Sequence, residues 1–199
     1  MRKFLVFSLI ALALAPCSWA QKNREANKIA LEASESAKNH DWDAAIEGFR
    51  KATAMDHKYA ANLSAALQQR GTAAANERRF TEAMADFDEA VKATPEDAGA
   101  HERRAAVAMK MNDFDKALAD YSAAIKSNPH EVRYLLYRSY ILELKGDSKS
   151  SMADTEKVLK MQKDNPEAQA RKTRLEARMK TENPPPQTQA APGSPPKPE

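Results

Sequence analysis

The chain has 199 residues, enough for one domain of ordinary size or two small ones. Its 31 Lys and Arg against 28 Asp and Glu give a formal charge of +3, with a mean hydropathy of −0.70, which disfavours a strongly basic nucleic-acid binder or a polybasic membrane binder. Five glycines leave little material for hairpin turns or phosphate-cradling loops, and abundant Ala, Lys and Glu point to helices.

The first predicted element is an address. Arg2 and Lys3 precede an apolar run from Phe4 to Ala15, broken only by Ser8. Pro16 is expected to stop that helix. Ser18 and Ala20 then put small residues three and one before a cut ahead of Gln21, the three-part order of a secretory signal peptide over 1–20. Twelve helical residues rise about 18 Å, short of the roughly 30 Å hydrocarbon core. The alternative is an uncleaved segment that anchors a periplasmic assembly component. Cleavage takes Arg2 and Lys3 away, leaving 29 cations against 28 carboxylates, and removes Cys17, the single cysteine. The mature chain then has no disulfide, no cysteine metal site and no thiol nucleophile. Leu14 to Cys17 resembles a bacterial lipobox, but Pro16 stands where that pattern wants a small residue, so lipidation is not expected.

After a short lead, 21–25, the chain repeats itself. Phe80-Thr81-Glu82-Ala83 aligns with Phe114-Asp115-Lys116-Ala117 at an offset of 34, which also carries Gly71 onto Ala105, Phe87 onto Tyr121, Ala90 onto Ala124 and Pro95 onto Pro129. An earlier copy has Trp42, Ala45, Phe49 and Ala52 at an offset of 38, with four extra residues within about 57–63 and His57 in the proline place. A worn copy follows Pro129, with Ser139, Gly146-Asp147, Ser151, Thr155 and Val158 in register. Phe80, Ala83, Met84, Phe87, Ala90 and Val91 form an apolar helical stripe, and Phe114 to Ile125 repeats it. Small residues where helices cross allow close approach, the recurring ring supplies buried area, and Pro95 and Pro129 stop helices. Units of this kind bury their faces only by stacking.

These residues resemble the tetratricopeptide repeat (TPR) family, a 34-residue helix–turn–helix unit. The resemblance implies an all-α, right-handed α-solenoid of four helix hairpins, 26–59, 64–97, 98–131 and 132–165. A capping helix is expected over 166–181, opened by Asn165-Pro166, with Ala168, Lys172, Leu175 and Met179 as its stripe and the cations Arg171, Lys172, Arg174 and Arg178 toward solvent. The Pro-rich tail, 182–199, has too little apolar content to form a core and is expected to be disordered, as a flexible spacer or a polyproline ligand.

Catalytic chemistry is not expected. His40, His57 and His130 fall at predicted turns, and His101 is expected to pack rather than ligate a metal. Carboxylates such as Asp86, Asp88, Glu89, Asp113, Asp115 and Asp120 recur on second helices and read as a solvated outward face. There is no phosphate loop, nucleophile elbow or dinucleotide fingerprint, so no metal and no cofactor are expected.

In the family the first helix of each repeat lines the inner face, with repeat positions 2, 5, 6, 9, 12 and 13 pointing inward. The resemblance therefore implies a partner-binding set of Gln68, Thr72, Arg103, Arg133, Tyr137 and Tyr140. The arginines would fork onto carboxylates or carbonyls, and the tyrosines would present apolar bodies with polar tips. The competing reading has Tyr134, Tyr137 and Tyr140 packing the last hairpin against the capping helix. The family's carboxylate clamp of Lys, Asn, Asn, Lys and Arg is not carried over: of Gln68, Thr72, Arg103, Arg133 and Tyr137 at its five places only Arg133 keeps the charge, and Ala30, Ser34, Gln69, Gly99 and Arg103 fare no better. The expected protein is exported, periplasmic or secreted, and a scaffold for a protein or peptide partner. It binds no nucleic acid and is not inserted in a membrane after signal cleavage.

Overall fold

A computed structural model describes the backbone of residues 7–182 and the side chains of 19–181. The helices are α1 (Phe7–Lys38), α2 (Trp42–Met55), α3 (Ala60–Asn76), α4 (Phe80–Ala93), α5 (Ala98–Lys110), α6 (Phe114–Ser127), α7 (Val132–Leu144), α8 (Ser148–Met161) and α9 (Pro166–Glu182), with a 3₁₀ turn at His57–Tyr59. No strand occurs among the described residues. The chain divides into two compact units, Met1–Pro129 and His130–Glu199, parting between the third and fourth repeats.

Local signals explain where the helices begin and end. His40, Arg78, Asn112 and Gly146 all take positive φ, between 60° and 83°, at the turn inside each hairpin. The next residue opens the second helix. Asp41, Asp113 and Asp147 there accept hydrogen bonds from Ala44, Lys116 and Ser150 backbone N–H groups at 3.0–3.1 Å. Such caps satisfy amides that no helical carbonyl can reach. Arg79 holds this place in the second repeat and gives no side-chain cap. Asp97 and Glu131 cap the first helices α5 and α7 in the same manner.

In the first unit, α1 packs on α2, α3 on α4 and α5 on α6, and α2 on α3 and α4 on α5 join successive repeats. Phe49, Phe87 and Tyr121 occupy equivalent buried seats on α2, α4 and α6. Each removes a large apolar surface from water, worth about 1.5–3 kcal/mol. The small residues opposite are a steric requirement. A Cβ on Gly71 would lie 3.0 Å from the Phe87 ring, and one on Gly48 only 2.7 Å from Ala33 Cβ. Alanines at 45, 52, 83, 90, 117 and 124 are all buried at the same crossings.

The second unit packs α7 on α8 and α8 and α7 on α9. Thr155 takes the aromatic seat, fully buried, and donates to the Ser151 carbonyl. Its core consists of Tyr134, Leu135, Ile141, Val158, Ala168 and Leu175.

Four expectations change. Helix α1 runs on through Pro16, which sequence alone placed as a stop. The extra residues of the first repeat form the 3₁₀ turn and the first turn of α3, so α3 starts at Ala60 rather than 64 and has 17 residues against 13 in α5. Helix α9 includes Glu182, the first residue of the expected tail. Arg171 does not face solvent but is buried, as described below. Residues 1–6 of the expected leader and 183–199 of the tail lie outside the described residues. No described helix is long and apolar enough to cross a membrane.

Candidate functional site

Helices α1, α3 and α5 carry the first unit's inward repeat positions. Gln68 on α3 is the hub there. Its Nε2 donates to Asp97 Oδ2 at 2.8 Å and Ser64 Oγ at 3.1 Å, and its Oε1 accepts from Arg103 Nη1 at 2.9 Å. Arg103 Nη1 also reaches the Gly99 carbonyl at 3.1 Å. Thr72 donates its hydroxyl to the Gln68 carbonyl of its own helix at 2.6 Å. The structure thus joins Gln68 and Arg103 across two repeats and leaves Arg103 exposed, while the Thr72 hydroxyl hydrogen is engaged locally.

Beside this network lies an apolar cleft of about 370 Å³ between α1 and α3. Ala37, Ala65 and Ala66 wall it, Trp42 and Phe49 from α2 form the floor, and Lys38 and Gln69 stand at its rim. A second cavity, about 570 Å³, opens near Trp42, Arg70, Arg79 and Glu82. Its charges answer one another: Arg70 bonds Asp43 and Asp86, and Arg79 pairs with Glu77 and Glu82.

The other three expected residues lie in the second unit, on α7. Arg133 Nε donates to Glu131 Oε1 at 3.1 Å, and its guanidinium lies 5.9 Å from the Tyr134 ring. Tyr134 is buried, while Tyr137 and Tyr140 keep 45% and 40% of their surface exposed. Of the three tyrosines only Tyr134 is buried, and Tyr140 meets the capping helix while half-exposed. Arg171 from α9 lies 5.7 Å from the Tyr140 ring and is 2% exposed. Its guanidinium donates to Glu143, Glu167, Ser139 Oγ and the Leu136 carbonyl at 2.9–3.3 Å. Such a set of fixed acceptors is what lets a guanidinium be buried. Burial pushes Glu143 up, but hydrogen bonds from Arg174 and Arg171 outweigh it and hold the carboxyl below its ordinary value.

The outward carboxylates need correction. Asp86, Asp120 and Asp154 are buried, each forked by the arginine sixteen residues earlier. The pairs are Arg70–Asp86, Arg104–Asp120 and Arg138–Asp154, with contacts of 2.5–3.0 Å. Both partners recur at 34, and that shared period is the signal that could have revealed them. Asp88 stays half-exposed and takes Arg104 and Lys116, and Glu89 takes Arg50, which holds it below the usual carboxylate range. His101 is buried with Nδ1 3.0 Å from Asp120 Oδ1 and Nε2 2.9 Å from the Pro95 carbonyl oxygen, so both ring nitrogens are engaged in packing. No cluster of three or more potential metal ligands occurs among the described residues.

The sequence profile of the tetratricopeptide repeat matches residues 31–98 and 102–168. A comparison with curated proteins finds no match. Among solved structures, the TPR domain of Arabidopsis OM64 is similar at 24% identity and a TM-score of 0.55, covering 59% of this chain and 98% of that one. The first TPR of Spaghetti (RPAP3), bound to the HSP90 peptide SRMEEVD, is 18% identical at a TM-score of 0.56, covering 60% and 94%. YrrB, a TPR protein with an unusual peptide-binding site, is 16% identical at 0.59, covering 78% of each chain. With the helix hairpins in place and the profile spanning more than half of the residues, the chain belongs to the tetratricopeptide repeat family.

Proposed function

We propose that this protein is a non-enzymatic scaffold that binds a peptide or an extended segment of a partner protein on the inward faces of its first helices. The observation that carries this reading is the exposed Arg103 held across α3 and α5 by Gln68. A guanidinium fixed by neutral acceptors is preorganised to fork onto a carboxylate or a carbonyl. Tyr137 and Tyr140, half-exposed on α7, are the residue type that dominates binding energy at interfaces. The HSP90 peptide bound to the first TPR of Spaghetti (RPAP3) and the HSP70 peptide in complex with the second TPR domain of human RPAP3 support a peptide as the partner class.

The test is retention of peptides on an immobilised library of random acetylated, amidated nonapeptides. The unaltered protein should retain a defined subset. The double variant Arg103→Glu, Tyr140→Ala should lose at least tenfold in retention while its thermal melt stays within a few degrees. Equal retention would remove these residues from the site.

The protein acts outside the cytoplasm in this reading, in the periplasm or beyond the cell, after its leader is cut. Helix α1 begins within the leader, so the cut would leave Gln21 as the opening of the first repeat helix. N-terminal sequencing of protein from its native host should begin at Gln21. A chain beginning at Met1 supports the anchored alternative instead.

A further inference from the structure

We infer that the larger cavity of the first unit, over Trp42 and Arg70, binds a linear aliphatic diamine or polyamine. The ammonium at each end rests on carboxylates, and the methylene chain between them lies on Trp42 and a lining of alanines. This goes beyond the scaffold reading and does not depend on it. Three observations lead there.

The first is place and size. The cavity opens where the first two hairpins turn, with His40 and Asp41 at one turn and Arg79 at the other. Arg70, Ala73 and Ala74 line it from α3, on a different face of that helix from Gln68 and Thr72. It is therefore separate from the inward positions. Its volume of about 570 Å³ falls in the range of small-molecule sites.

The second is an aromatic wall. Trp42 is half-buried, and the His40 ring braces it edge-on, with centroids 5.6 Å apart and planes at 71°. The methyls of Ala73, Ala74 and Ala85 complete the apolar lining. An indole face attracts a cation, and alanine methyls take methylene groups out of water. The lining thus suits an ammonium on an aliphatic stem.

The third is charge across the whole lining. Asp41, Asp43, Glu82 and Asp86 stand against Arg70 and Arg79, so four negative charges face two positive and two are left to balance. A dication balances them. An anion finds no open guanidinium, since Arg70 is held by Asp43 and Asp86 and Arg79 by Glu77 and Glu82. The carboxylates are only half used. Asp41 accepts from the Ala44 amide, Asp43 from Arg70 and Glu82 from Arg79, each through one oxygen. The other oxygen of each accepts no hydrogen bond among the described residues. These oxygens fall at two ends, with Asp41 and Asp43 at the start of α2, Glu82 on α4, and α3 packed against both helices. An ammonium at each end offers three N–H donors to them. A single metal ion needs its ligands gathered at one point, and no such cluster occurs among the described residues.

Trp42 makes the site readable. The chain has two tryptophans, so in a Trp19→Phe background the emission comes from Trp42. The probes are putrescine and cadaverine, with butylamine and pentylamine as singly charged controls. Each diamine should shift Trp42 emission with one-site saturation, and each monoamine should bind at least tenfold more weakly. Asp43→Asn and Glu82→Gln should each weaken diamine binding several-fold, with unchanged helical circular dichroism. Both side chains are largely exposed, and each substitution leaves its arginine a second carboxylate. Glu47→Gln, which removes an exposed carboxylate outside the cavity, should leave diamine binding unchanged. Absence of saturable binding by both diamines overturns the inference. Monoamine binding of equal strength also overturns it and assigns the cavity to a partner's basic side chain. Diamine affinity that survives both substitutions, or that falls equally with Glu47→Gln, is a general attraction to an acidic surface and likewise overturns it. Peptide retention is read separately, so the scaffold reading stands or falls by its own test.

Discussion

The turn inside each helix hairpin shows how a single residue sets local stability. His40, Arg78, Asn112 and Gly146 all adopt the left-handed conformation, yet only one of them is glycine. A side chain with a Cβ is strained in that region by about 1–2 kcal/mol, less for asparagine. Arg78→Gly should therefore raise stability by about 1 kcal/mol, and Gly146→Ala should lower it by a similar amount. Urea denaturation of the two variants checks both signs. A Cβ at Gly146 would approach only the Arg178 guanidinium, at 3.4 Å, so crowding does not confuse the second result. The sequence showed where this turn falls, because Gly146-Asp147 is legible. It did not show that His40 and Arg78 share the glycine's conformation, since a residue with a Cβ adopts it only uncommonly.

Helix pairs are held by rings against small residues and, beneath that, by ion pairs of unequal worth. Arg104–Asp120 is nearly closed to water, and Asp120 also faces His101. Asp120→Ala would remove the forked acceptor of Arg104, leaving it only half-exposed Asp88, and the partner of His101 Nδ1, and should cost about 3 kcal/mol. Arg50–Glu89 is also forked, with contacts of 2.8 and 2.9 Å, but lies in solvent. Glu89→Ala should cost less than about 1 kcal/mol. Chemical denaturation of the two variants separates buried from exposed pairing, and equal losses would contradict it. The aromatic stripe and the small residues opposite it were readable because both follow helical spacing. The arginine ladder was overlooked because a charged residue on a helix is ordinarily solvated, and only pairing sixteen residues apart changes that.

Across the whole molecule, acid should act through carboxylates that arginines hold charged. Glu89 and Glu143 both sit below their ordinary value of 4.5 in the folded state. A depressed value gives stability that is fully present above the unfolded value and is lost as pH falls through the folded one. The melting temperature should therefore be level near neutrality and fall as pH drops below about 4.5. Glu143→Gln, which keeps an acceptor for Arg171 and Arg174, should blunt that fall. Thermal melts from pH 7 to pH 3 measure both. The six residues expected to bind a partner divide between the two compact units, Gln68, Thr72 and Arg103 in one and Arg133, Tyr137 and Tyr140 in the other. Each trio has its own local supports, Gln68 with Asp97 in the first and Arg171 beside Tyr140 in the second.

By itself the sequence determined the helical class, the period of 34 and the residues that fill the core. Those properties follow from spacing along one chain, and a helix converts spacing directly into a face. Only the tertiary structure decided which polar groups are buried. Asp120 and Arg171 look like surface residues until packing sets acceptors and donors around them. The cleft over Trp42 and Phe49 was likewise invisible, because its walls come from α1 and α3 and its floor from α2. A concavity belongs to none of the helices that bound it, so no pattern within one helix can announce it.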